Sequence, residues 1–219
     1  MSSSLEIGRV MGIPVRMHWT IAFIIFFIAW SFATTYQTAG GMIYGFGGIE
    51  PAGARWLFSL LLALILFACV ALHELGHSYI ALRNGIGIKS ITLYFFGGVA
   101  SMEEIPRNPG LELKMAIAGP AVSGILGSVF WLAGIEAGSI LGISHPLSIT
   151  FSNLGLMNLI LMAFNLLPAF PMDGGRLLRA WFAFHMPYVK ATRRASEIGK
   201  IFATLMFLLG LSTLNFMLL

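Results

Sequence analysis

"LLALILFACVALHELGHSYIALRNG", residues 61–85, decides how the chain is read. The run is apolar enough to cross a bilayer, yet it carries His73, Glu74 and His77. Ionisable groups are expensive in hydrocarbon and usually mark a pathway or a site, so their placement is a functional signal in itself. On a helix, His73 and His77 lie four residues apart on one face, one turn above the other, which lets both imidazoles reach one cation. Glu74 sits beside them, where a carboxylate can take a proton from a water activated at that cation. Two imidazoles and one carboxylate with a fourth position open make up the ligand set of a catalytic zinc site. The HExxH pattern is short and arises by chance, so its weight comes from the apolar run that surrounds it.

The rest of the chain agrees with a membrane setting. Of its 219 residues 58% are hydrophobic and 10% charged, with a mean hydropathy of +0.86. That leaves too little polar surface to cover a soluble globule. Apolar stretches near residues 17–35, 56–82, 115–135, 147–170 and 201–219 are each about the length that a helix needs to span the hydrocarbon core. The first follows Arg9 and Arg16 and exceeds the apolar core of a signal peptide, so it reads as an uncleaved span. With a cytosolic amino terminus, every Lys and Arg except Arg55 falls on the cytosolic side. That asymmetry accounts for the net charge of +4 as a topology signal, and nucleic acid is not an expected partner. A single cysteine, Cys69, excludes an internal disulfide and reads as a small buried apolar residue.

Two segments break the helical pattern. Residues 86–102, "IGIKSITLYFFGGVASM", are β-branched and aromatic and read as one or two strands with a turn or bulge near Gly97 and Gly98. The amino-terminal "LEIGRVMGIPVRM" is similar, and the two can pair into a small sheet on the cytosolic side. The fourth span ends in "MAFNLLPAFPMDGGRLLRAW", where Pro168, Pro171, Gly174 and Gly175 interrupt a continuous helix around Asp173. Irregular backbone at membrane depth is tolerated where it lines a cavity or is buried in protein, which marks a second candidate site. Spans two and four both run inwards, so His73, His77 and Asp173 come to a similar depth and can meet.

These motifs carry a resemblance. "MGIPV" (11–15), "HELGHSY" (73–79), "FGGVA" (96–100), "AGP" (118–120) and "NLLPAFPMDGGRLLRA" (165–180) resemble, in order and spacing, the site-2 proteases, zinc-dependent intramembrane metalloproteases. The resemblance implies an α-helical polytopic membrane protein, a bundle of about six transmembrane helices with a small β element on the cytosolic side. Five such runs and the start of a sixth are visible, and the end on "LSTLNFMLL" reads as a span cut short or a chain boundary. It implies one Zn2+ per chain held by His73, His77 and Asp173, Glu74 as general base, and Asn165 as a polar group near the substrate carbonyl. The implied activity is an endopeptidase acting within or near transmembrane segments of membrane-protein substrates. Residues 1–219 are expected to form one core domain, with no CBS or PDZ regulatory module among them.

Three further expectations come from the residues. A helical substrate must be unwound before its scissile carbonyl is reachable, so the strand-like segment from Ile91 to Val99 is expected to take it as an added strand. Phe96, Gly97 and Gly98 are then substrate-binding, the glycines letting the backbone pass close to the metal. His18, His145 and His185 read as polar anchors near interfaces, and Gly119 and Pro120 as helix-packing positions. The competing class is a membrane metal-ion transporter, which would need a relay of polar groups across the bilayer; here the ionisable groups are confined to two motifs near one side.

Overall fold

The structure, a computed structural model, describes residues 4–94, 97–102 and 107–213. Phe96 therefore lies outside the described residues.

A hairpin of β1 (Ser4–Val10) and β2 (Ile13–His18) opens the chain. Its two-residue loop, Met11 and Gly12, has positive φ at both positions, the geometry that suits the right-handed twist of the flanking strands. Helix α1 (Thr20–Thr34) follows, then a short hairpin of β3 (Gln37–Ala39) and β4 (Met42–Tyr44). Helix α2 (Ala52–Arg83) is next, followed by β5 (Ile88–Tyr94) and β6 (Gly97–Met102). Four helices complete the described chain: α3 (Pro109–Leu141), α4 (Pro146–Asn165), α5 (Asp173–Ala183) and α6 (Tyr188–Thr213).

Four of these helices, α2, α3, α4 and α6, are long and apolar enough to cross a membrane. The first expected span corresponds to α1, whose 15 residues reach only about 22 Å at the usual helical rise, short of a hydrocarbon core of about 30 Å. The apolar run at 17–35 extends beyond this helix at both ends, to Met17 in β2 and to Thr35, where the backbone has turned extended.

Local chemistry sets the helix ends. At the end of α2, Gly85 takes a positive φ. The Gly85 amide donates to the Leu82 carbonyl and the Ile86 amide to the Ala81 carbonyl, both at 3.0 Å. This is a Schellman termination, and the buried Ile86 packs against Ala81 as such turns favour. Asn108 caps α3 by accepting from the Leu111 amide at 3.1 Å, with Pro109 as the first helical residue. His145 caps α4 through the Leu147 amide, which gives that histidine a structural role.

The larger sheet has the order β1-β2-β5-β6, with β2 parallel to β5 and the other neighbours antiparallel. Ile13, Ile91 and Leu93 are buried with Ile21 of α1 and pack against Phe67, Val70 and Leu75 of α2. The sheet is thereby fixed to the half of α2 that bears the two histidines. Strand β5 lies inside the sheet, so Ile91–Tyr94 cannot take an added strand. Among the described residues the free edge on this side is β6, a correction to the sequence reading, which gives the whole stretch from Ile91 to Val99 that role. Helix α3 packs against α2, α4 and α5, and this central position bears on the site.

Candidate metal centre

Helix periodicity places His73 and His77 on one face of α2, both 3% exposed. Their rings meet nearly edge to face, with centroids 4.9 Å apart. Each ring is held from behind by α3. His77 Nδ1 donates to the Met115 carbonyl oxygen at 2.7 Å, and His73 Nδ1 shares a hydrogen bond with Ser123 Oγ at 2.8 Å. Such bonds fix the ring orientation and select which nitrogen faces forward.

The forward nitrogens converge. His73 Nε2 and His77 Nε2 are 3.2 Å apart. Asp173 Oδ2 lies 3.2 Å from the first and 3.1 Å from the second. Asp173 reaches this point because α4 stops at Asn165 and α5 restarts at Asp173, across the segment containing Pro168 and Pro171. Gly174 and Gly175 let the new helix press against the backbone of that segment, since a Cβ at Gly174 would collide with the carbonyl oxygens of Leu166 and Leu167. Arg176 Nη1 stands 3.7 Å from Asp173 Oδ1, the other oxygen of that carboxylate.

The donor chemistry fits a metal ion. Because His77 Nδ1 must carry a proton to face a carbonyl, neutral His77 points an Nε2 lone pair at a carboxylate oxygen. Acceptors converging in this way are stable only with positive charge among them, from a proton or a metal ion. Zinc at about 2.0–2.1 Å from each of three tetrahedral ligands separates the ligand atoms by about 3.3 Å. The observed separations of 3.1 to 3.2 Å are close to that spacing. Room for the ion depends on Gly119 of α3, where an added Cβ would collide with His77 Nε2 and approach His73 Nε2 to 2.7 Å. The sequence reads Gly119 as a packing position; what it packs against is the pair of imidazoles.

The other sequence-derived residues are placed unequally. Glu74, partly exposed, lies against the edge strand, where a Cβ on Gly98 would collide with its Cγ. Gly97 opens the same strand, paired with Tyr94. Asn165 is the last residue of α4, and its Nδ2 donates to the Leu161 carbonyl at 2.9 Å within its own helix. Ser123 and the Met115 carbonyl were missed from sequence; a lone serine inside an apolar span is a weak signal, and a carbonyl gives none.

Comparison with known proteins agrees with this geometry. A model of peptidase family M50 matches residues 61–140 and 136–209. The chain belongs to peptidase family M50. Among the relatives of this M50 chain, "Zinc metalloprotease MJ0392" of Methanocaldococcus jannaschii is 40% identical over 218 residues, covering 100% of this chain and 57% of that protein. The solved structure of a site-2 protease from Methanocaldococcus jannaschii aligns with a TM-score of 0.62 at 37% identity, covering 98% of this chain and 88% of that one. The chain thus spans about half the length of the curated relatives it matches.

Proposed function

We propose that the chain is a zinc-dependent intramembrane endopeptidase, hydrolysing peptide bonds within or near transmembrane segments of membrane-protein substrates, as in regulated intramembrane proteolysis. The observation that carries this reading is the convergence of His73 Nε2, His77 Nε2 and Asp173 Oδ2 at tetrahedral-ligand spacing, with Glu74 next in sequence to one of them. Membership of peptidase family M50 and the zinc metalloprotease relatives support it.

His73, His77 and Asp173 would hold one zinc ion per chain. When bound, zinc supplies Lewis-acid polarisation of the scissile carbonyl and brings the pKa of a water to about 7. Glu74 takes the proton from the attacking water and returns it to the departing amine. The Met115 carbonyl and Ser123 keep both imidazoles in register. Asn165 is assigned to the developing oxyanion. One of its two Nδ2 hydrogens bonds the Leu161 carbonyl here, which leaves the second for that role.

The substrate would lie along β6 as an added strand. An edge offers unpaired amides and carbonyls to a backbone that has lost its helical bonds, and Gly97 and Gly98 let it pass beside Glu74. Phe96 belongs to the same proposed surface on sequence grounds alone. The proposed setting is a cell membrane with the amino terminus, the sheet and the centre towards the cytosol, about six spans, and residues 1–219 acting as one core domain. A metal-ion transporter is less well supported, since among the described residues the ligand-type side chains gather at one centre.

The deciding experiment is metal analysis of the purified protein with a cleavage assay on a helix-destabilised transmembrane peptide. About one zinc per chain and chelator-sensitive cleavage are expected; zinc without cleavage of any such peptide would count against the reading.

A further inference from the structure

Helix α3 orients His77 through Met115, orients His73 through Ser123, and leaves space for an ion at Gly119. It also reaches the third proposed ligand, by a longer route. Glu112, in the first turn of α3, is 1% exposed. Its Oε1 accepts from Arg179 Nε at 2.8 Å and also from Arg179 Nη2, while its Oε2 accepts from the Tyr188 hydroxyl. The Arg179 guanidinium stacks 5.3 Å from the ring centres of both Phe170 and Tyr188. Arg179 belongs to α5, the helix that Asp173 begins, and Phe170 lies in the segment that leads into Asp173.

We propose that Glu112 and Arg179 are positioning residues for Asp173, their ion pair setting the rotation and axial position of α5 so that the carboxylate meets the two histidines that α3 has already oriented. The proposal rests on Asp173 being a metal ligand.

An 11-residue helix entered through a proline-containing segment has little rigidity of its own, so its placement comes from tertiary anchors. Arg176 cannot supply one through Asp173, because that contact is local to α5. Arg179 can, since a guanidinium using two nitrogens on one carboxylate fixes direction as well as distance. Stability alone is a weak reason for the cluster, because replacing a buried ion pair with apolar groups of similar size is often neutral or stabilising. What apolar groups would not preserve is the angular registration of α5 on α3.

The test measures zinc affinity by chelator competition and the absorption spectrum of the cobalt-substituted protein. It compares Glu112→Gln and the paired Glu112→Leu/Arg179→Met, each made in the parent and in an Asp173→Ala background. The paired variant leaves no buried charge unpaired and reads the same quantity where Glu112→Gln does not fold. In the parent background, zinc binding should weaken about 10- to 100-fold, the range typical of residues that orient ligands, and the cobalt spectrum should shift. On Asp173→Ala the same changes should have no further effect. Folded variants with parent affinity and spectrum would overturn the proposal, as would an equal loss on the Asp173→Ala background or failure of both variants to fold. Parent affinity in Asp173→Ala alone would instead remove Asp173 as a ligand, a separate outcome.

Discussion

Glu74 and Gly98 are in such close apposition that a Cβ on Gly98 would fall on the Glu74 Cγ. The residue proposed as general base therefore borders the free edge of the sheet. A backbone added along β6 would pass beside the carboxylate that must serve it. Gly98→Ala should displace Glu74 without touching a metal ligand. Cleavage is expected to fall at least tenfold with about one zinc per chain retained, read by metal analysis beside a peptide assay. Parent activity in this variant would show that the apposition has no catalytic consequence.

Glu74→Gln keeps the size of the side chain and removes its basicity. General acid–base groups typically contribute about 10²- to 10⁴-fold, and here one group serves both proton transfers, so cleavage should drop by at least that range. Zinc stoichiometry should remain that of the parent, since Glu74 is outside the group of His73, His77 and Asp173 proposed to hold the ion. Proteolysis by this variant at the parent rate would sink the mechanism.

Asp173→Asn should weaken zinc binding and cleavage together, because a neutral amide is a poorer ligand than a carboxylate. The contrast with Glu74→Gln, which separates the two readouts, distinguishes a ligand from a base. Should Asp173→Asn bind zinc at parent affinity and cleave normally, the third ligand must be sought elsewhere.

Much of this centre was legible in the sequence for a physical reason: each participant lies where an apolar pattern is violated. His73, Glu74 and His77 interrupt a span, and Asp173 sits in a proline and glycine break. The residues that aim the ligands leave no such trace. Glu112 and Arg179 are 67 positions apart, and nothing local tells that the two side chains meet. The strand character of 86–102 was readable from its β-branched residues. The order of strands was not, because the parallel pairing of β2 with β5 depends on how α1 and α2 return the chain. That order is what narrows the proposed edge from the whole of Ile91 to Val99 to β6. The first apolar run, 17–35, is also longer than the helix inside it, since hydropathy counts apolar residues whether or not the helix continues through them.

Successive residues of an edge strand point their amides alternately towards the partner strand and away from it. Along β6, Val99 pairs with Thr92 and Ala100 with Ile91, so one of the two amides serves β5 and the other faces the open edge. Proline at the outward position removes a donor from the proposed substrate ladder and leaves the sheet bonds intact; at the inward position it removes a sheet bond. One of Val99→Pro and Ala100→Pro should therefore slow cleavage of a helical peptide several-fold while zinc content and thermal stability stay at parent values. The other should lower thermal stability. A peptide held on the strand should also cross-link, through a cysteine near its scissile bond, to a cysteine placed between residues 97 and 102 in the Glu74→Gln protein. Equal cleavage by both proline variants, with no cross-link from any of these positions, would remove β6 as the substrate edge and leave the unwound peptide to find its partners elsewhere around the metal centre.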